Sequence, residues 1–368
     1  MRTTEAVEEA RRVMTVCNAC RYCEGFCAVF PAMELRRVFS NADLSYLANL
    51  CHGCRDCYYA CPYTPPHEFG INVPRTFAEL RMESYAEYSW PGPMARMFRR
   101  NGLLVSLVTV LSITLVLVGS MVWHRPHDFY GVHLGPGAFY ALIPSWIMLS
   151  VAGGTFGFAL LALCVGAARF WRDAGGGVFW RPRPLLRALG DILTLRNLGG
   201  GGQGCNDRGE GFSRIRRRMH HALFYGFMLT FASTCVAAIY EHVLGLLAPY
   251  PFFSPPVLLG TAGGIGMVIG CGGLLWIHAS GDRDPAAPGL MGSDLALLFL
   301  LLFTAATGLA LLALRATGAM GVLLAVHLGF VLSLFLVMPY SRFVHGIYRA
   351  AALVRNAIEQ QSANRQID

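Results

Sequence analysis

The pattern of apolar and polar positions changes once along this chain. Before about residue 90 the two kinds are mixed, and stretches such as AMELRRVFSNADLSYLANL read as helical. The opening MRTTEAVEEARRVMTVC carries acids and no apolar run, so no secretory signal peptide is expected there. After Pro91-Gly92-Pro93 the chain turns to long apolar runs, six of which can cross a hydrocarbon layer of about 30 Å. They are Leu103–Trp123, Ala138–Ala167, His220–Leu247, Pro256–His278, Asp294–Leu314 and Val322–Tyr340. The predicted architecture is all-α. A helical domain covers residues 1–90 and a linker covers 91–102; a six-span transmembrane bundle covers 103–368, with a long loop over 168–219.

Composition agrees with that division. Hydrophobic residues make up 54% of the 368 residues and charged residues only 14%, against about 25% charged in soluble domains. All 30 basic residues are arginine. They flank the apolar runs instead of alternating with aromatics, so the net charge of +8 points to membrane topology and not to nucleic acid. Residues 169–218 hold eleven arginines and four acids, while the connections on the other side are nearly bare of arginine. Arg342, Arg349, Arg355 and Arg365 follow the last span. An even number of spans and the positive-inside tendency place the long loop, both termini and the N-terminal domain on the cytoplasmic face of a bacterial inner membrane.

Eight of the twelve cysteines form two runs, Cys17-x2-Cys20-x2-Cys23-x3-Cys27 and Cys51-x2-Cys54-x2-Cys57-x3-Cys61, the second followed by Pro62. This is the rhythm of a two-cluster ferredoxin, in which each run gives its fourth thiolate to the other cluster. It predicts one [4Fe–4S] cluster on Cys17, Cys20, Cys23 and Cys61 and a second on Cys51, Cys54, Cys57 and Cys27. A zinc tetrahedron would leave cysteines over, and a disulfide framework at this density would be strained. The helical spacer between the runs resembles the two-cluster domain of succinate dehydrogenase or heterodisulfide reductase subunits more than a compact ferredoxin. Cys164, Cys205, Cys235 and Cys271 stand alone and receive no role. The glycine-rich stretch from Leu198, LGGGGQGCNDRGEG, lacks the strand and spacing of a phosphate loop, so a flexible loop is expected, with a partner-docking surface as the other reading.

Ionisable residues within spans are costly and mark function, and histidine is an axial ligand of haem iron. The candidates are His220, His221, His242, His278, His327 and His345. His327 and His345 lie eighteen residues apart, five turns of one helix, with Pro339 between them as a predicted kink. One or two b-type haems are expected: an outer one on His242 and His327, and an inner one on His345 with His221 or His220, His278 competing. Arg218 and Arg342 are candidates for the haem propionates. His124, His127 and His133 fall in an outer loop and are read as solvated.

The paired cysteine runs, six spans and the segment LGGGGQGCNDRGEGFSRIRRRMHHALFYGFMLTFAST together resemble the tricarballylate (citrate) utilization protein B family over nearly the whole chain. The resemblance implies a membrane iron–sulfur and b-haem protein that reoxidises a partner flavoprotein, an FAD-dependent tricarballylate dehydrogenase, and delivers electrons to quinone. It also implies cluster ligation by the same eight cysteines. With no flavin or dinucleotide fingerprint in the chain, the expected role is an electron-transfer subunit with no catalytic residues of its own. Two alternatives are a heterodisulfide-reductase-like catalytic subunit, for which Cys205 would be needed, and a transporter with a redox-sensing domain.

Overall fold

The computed structural model describes residues 2–177 and 181–364, and among these it is helical, with a single antiparallel bridge between Cys205 and Ser213. Three helices of the N-terminal domain are started by a side-chain cap. α1 (Glu5–Cys20) opens on Thr4, whose hydroxyl accepts the Val7 N–H, and buries Val7, Ala10, Val13 and Met14 along one stripe. α2 (Val29–Glu34) leads to α3 (Asn41–Leu50), which begins with a reciprocal Ser40–Asp43 capping box. α4 (Asp56–Tyr59) is a single turn, and α5 (Val73–Tyr88) starts at Asn72 with Pro74 in its first turn. α5 lies against α1 and α3 around the fully buried Leu44, Tyr46, Leu47 and Phe77.

The predicted linker is not free chain. Residues Gly92–Arg100 form a 3-10 helix packed on α5, and Phe98 is buried. From there the chain builds α6 (Asn101–Trp123), α7 (Pro126–Phe129), α8 (Ser145–Asp173), α9 (Pro182–Leu193), α10 (Ile215–His242), α11 (Pro255–Ser280), α12 (Met291–Leu314), α13 (Met320–Val337) and α14 (Val344–Asn364). Six of these, α6, α8 and α10 to α13, are long and apolar enough to cross a membrane, which is compatible with a multi-pass protein. Large apolar side chains such as Leu111, Leu115 and Val122 point outward, as a lipid-facing surface requires.

α13 is surrounded by α6, α8 and α12, and α11 joins α10 to α12. The α10–α11 contact is the closest in the bundle because glycines face each other. A Cβ on Gly226 would come within 2.8 Å of the Gly263 carbonyl, and one on Gly270 within 2.5 Å of the Leu223 nitrogen. Small residues that let backbones approach are the usual device where no hydrophobic effect separates helix from lipid.

Two span starts differ from the sequence expectation. The second span begins at Ser145, because residues 138–143 fold into turns ahead of Pro144. The third begins at Ile215, because Arg216 and Arg217 anchor its first turn to backbone carbonyls of Gly53 and Thr194. The sixth ends in a 3-10 turn at Met338–Tyr340, and Ser341 is extended. Pro339 cannot donate to the helix ladder and crowds the preceding turn. His327 and His345 therefore sit on separate helices, α13 and α14, and do not share a face.

α14 returns beneath the bundle and packs on α9, α8, α3 and α2. Arg36 fastens it to the N-terminal domain, pairing with Asp43 at 2.6 Å and with Glu359 of α14 at 2.7 Å. Tyr85 of α5 stacks on Tyr348 of α14 at 5.5 Å, within one apolar core that runs from Val7 to the spans. Arg365 lies outside the described residues.

Candidate functional site

The fold gathers the eight cysteines into two nests. One cavity is lined by Cys17, Cys20, Cys23 and Cys61 with Tyr22, Phe30, Pro62 and Tyr63. The other is lined by Cys27, Cys51, Cys54 and Cys57 with His52, Val73 and Asn197. The fourth cysteine of each run thus lies with the first three of the other. The local cause repeats. The residue after the second cysteine of each run, Arg21 and Arg55, takes a left-handed conformation (φ +55° and +72°), which turns the chain so that the next cysteine faces its predecessors. Non-glycine residues hold that conformation at a cost of about 1–2 kcal/mol, so its recurrence marks a demand at both sites.

Burial, reinforced by neighbouring cysteines, pushes the thiols of Cys17, Cys23 and Cys27 up to about 12. Four thiolates share such a nest only around a cationic centre. Among the described residues no three His, Cys, Asp or Glu side chains converge tightly enough for one metal ion. Thiols ringing a cavity instead of meeting at a point fit a cluster better than a lone zinc.

The glycine-rich segment is docked and not flexible, which corrects the sequence expectation. Its partner is this chain's own second nest. Asn206 N donates to Cys54 O at 2.9 Å and Gly201 N to Asp56 Oδ2 at 3.2 Å. Arg216 donates to Gly53 O at 2.7 Å and pairs with the buried Asp207 at 2.5 Å. Arg55 reaches the carbonyls of Asp207 and Asp282 at 3.2 and 3.0 Å, and Tyr59 donates to the Asp282 carboxylate. A Cβ at Gly200 (φ +53°) would run into the Asp56 carboxylate, so that residue has to be glycine. Cys205 is fully buried, its thiol bonded to Leu198 O at 3.0 Å and pushed up to about 12 by burial. It is a structural thiol, not a reactive one.

The histidines separate by their surroundings. His220 of α10 faces His345 of α14 with ring centroids 6.1 Å apart and planes tilted by 34°. His345 Nδ1 donates to Arg342 O at 2.5 Å, leaving Nε2 free, and the buried His220 Nδ1 has no partner. Burial and the neighbouring Arg349 hold His345 well below the usual imidazole range, in the neutral form that ligates metal. With metal–nitrogen bonds of about 2 Å, two imidazoles at this separation could both reach one iron. His221 turns away: its Nε2 bonds to Thr194 O at 3.0 Å and its ring stacks on Tyr225. His278, at the same end of the bundle, keeps a buried Nε2 without a hydrogen-bond partner.

The expected outer pair is not brought together. His242 is exposed at the end of α10, whereas His327 packs over Gly308 of α12 and bonds to Thr307 Oγ1 at 3.1 Å. The glycine contact draws α10 onto α11, and α10 shares no substantial interface with α13. Arg342 is engaged with Asp294 of α12 at 3.1 Å, and Arg218 is exposed, with its backbone N–H on Arg214 O. In the outer loop His124 and His133 bond to the carbonyls of Leu142 and Asp128, while His127 is exposed. Sequence reasoning missed Asp207, Arg81 and Arg349 around the second nest; the glycine-rich segment was the available signal for the first.

Comparison with known proteins follows the same division. The family described as Citrate utilization protein B matches residues 96–366, and the Citrate utilization protein B Fer4-like domain matches residues 10–87, which hold both cysteine nests. The Citrate utilization protein B of Escherichia coli is 47% identical over 362 residues, 97% of this chain and 94% of that relative. No solved structure matches the chain. Both parts being matched, this chain belongs to the citrate utilization protein B family, whose Fer4-like domain points to an iron–sulfur electron-transfer role.

Proposed function

We propose that this protein is the membrane electron-transfer subunit of a flavoprotein:quinone oxidoreductase system. Its donor is an FAD-dependent dehydrogenase acting on tricarballylate or a related carboxylate, and its acceptor is the quinone pool. When bound, two [4Fe–4S] clusters and one b-type haem supply the one-electron carriers. Cys17, Cys20, Cys23 and Cys61 hold one cluster, Cys27, Cys51, Cys54 and Cys57 the other, and His220 with His345 the haem iron. The observation that carries this reading is the adjacency of the second nest to the facing imidazoles: His52 lines that nest, and Arg349, bonded to Cys51 O at 2.9 Å, lies one turn from His345 on α14.

The protein's own groups do the rest. The docked glycine-rich segment and α14 exclude water from the second nest. The first nest stays open, with Cys20 exposed and Tyr22 63% exposed beside it, and offers the side on which a soluble dehydrogenase can approach. The arginine-rich connections support a cytoplasmic position for this face. The heterodisulfide-reductase-like alternative needs an accessible thiol, and the buried Cys205 does not provide one.

The test is a redox difference spectrum with iron, acid-labile sulfide and haem quantified on the detergent-purified protein, followed by quinone reduction with the reduced flavoprotein. The expected result is b-type absorbance with two cubane paramagnetic signals. A protein lacking haem absorbance and cluster signals overturns the reading.

A further inference from the structure

We infer that Arg349 and Arg81 set the charge around the second cysteine nest and hold the cluster bound there at a higher reduction potential than the cluster of the first nest. The inference rests on the two-cluster reading above. Two guanidiniums from different helices converge on one peptide oxygen. Arg349 of α14 donates to Cys51 O at 2.9 Å, and Arg81 of α5 donates to the same oxygen at 3.2 Å and to Ala48 O at 2.9 Å. Arg81 is 6% exposed, and Arg349 keeps a buried Nε without a hydrogen-bond partner. Among the described residues neither has a carboxylate within ion-pair distance, in contrast to Arg36 and Arg342, which do. Burial, with the charge of Arg81, pushes Arg349 down to about 10.

Two buried cations without a counter-ion are destabilising in general, and a carbonyl does not neutralise them. A cluster held by four thiolates carries net negative charge and stands beside both. The wider balance has the same sign. Around the second nest Arg55, Arg81, Arg216 and Arg349 face two buried carboxylates, Asp56 and Asp207. Besides burial and other cysteines, Cys27 and Cys54 of the second nest feel the Asp56 carboxylate, while Cys17 and Cys23 of the first feel only other cysteines; the cationic influence on the second nest therefore enters at the Cys51 carbonyl, where Arg349 and Arg81 converge.

Cluster potentials follow net charge, hydrogen bonding and solvent exposure. Burial alone disfavours an added electron and would place the enclosed second cluster below the open first one. The unpaired guanidiniums oppose that, so that electrons arriving at the open nest settle toward the bundle.

The experiment is a potentiometric titration of the full-length protein in detergent, followed by paramagnetic resonance for the clusters and absorbance for the haem, on wild type, Arg349→Gln, Arg349→Lys and Arg81→Gln. In wild type two cluster midpoints are expected. Arg349→Gln should lower only the higher one, cutting the reduced-to-oxidised ratio at a fixed potential about tenfold, or about 59 mV for one electron. Arg349→Lys should retain most of the wild-type value, and Arg81→Gln should shift the same cluster in the same direction; it carries the test if Arg349→Gln does not assemble. Unchanged cluster midpoints with full iron content, a shift confined to the haem, or a lysine variant displaced as far as the glutamine variant would each overturn the inference. Absence of cluster signals in wild type would instead overturn the two-cluster reading.

Discussion

The two cysteine nests share one sequence rhythm and one backbone device, yet their surroundings are opposite. The first is walled by its own domain and keeps Cys20 and Tyr22 at the surface. The second is closed by segments from far along the chain: Asn206 on the Cys54 carbonyl, Gly201 on Asp56, Arg216 on the Gly53 carbonyl and Arg349 on the Cys51 carbonyl. Identical ligand spacing therefore leaves one nest open at the surface and the other enclosed by distant chain. What distinguishes them is polar contacts made by residues outside either cysteine run.

The strongest way to break that comparison is to remove one ligand from each nest. Cys54→Ser should cost about half the bound iron and also free the glycine-rich segment, read as new protease cleavage between residues 198 and 213. Cys20→Ser should cost similar iron and leave the segment protected. Equal protease sensitivity in the two variants would show that the loop does not depend on the second nest.

Next in size is the imidazole pair. His220→Ala should abolish the b-type absorbance, whereas His221→Ala should keep it, because His221 is committed to the Thr194 carbonyl. Retained absorbance in the His220 variant would move the haem elsewhere.

A smaller effect is expected from Gly200→Ala, which places a methyl group on the Asp56 carboxylate at a left-handed residue. A destabilisation of about 1–3 kcal/mol follows from overpacking, and in air the second cluster should decay faster while the first is unaffected. Gly25→Ala, beside the first nest and facing open space, should change stability by less than about 0.5 kcal/mol.

The smallest concerns acid. The hydroxyl of Tyr59 holds the Asp282 carboxyl below the usual carboxylate range. A carboxyl lowered in the folded state favours folding above its unfolded value of about 3.9 and loses that contribution as pH falls through the lower folded value. Hydrogen exchange in residues 198–213 should therefore rise below about pH 4. Tyr59→Phe should flatten that dependence; an unchanged acid response would remove Asp282 from the loop's attachment.

Much of this molecule is legible in its amino acids. Cysteines three and four residues apart, apolar runs of span length and arginine-rich connections are local patterns, and local geometry turns each into a nest, a span or a flank without help from distant chain. A local pattern misleads where one residue cuts across it, as Pro339 divides what reads as a single helix bearing His327 and His345. Tertiary structure alone decided which histidine of the adjacent pair faces α14, that the glycine-rich segment closes the second nest, and that Arg81 and Arg349 stand unpaired beside it. These contacts join residues 30 to 298 positions apart, and whether a polar side chain finds its partner at that range depends on how the helices pack, which no short stretch of sequence records.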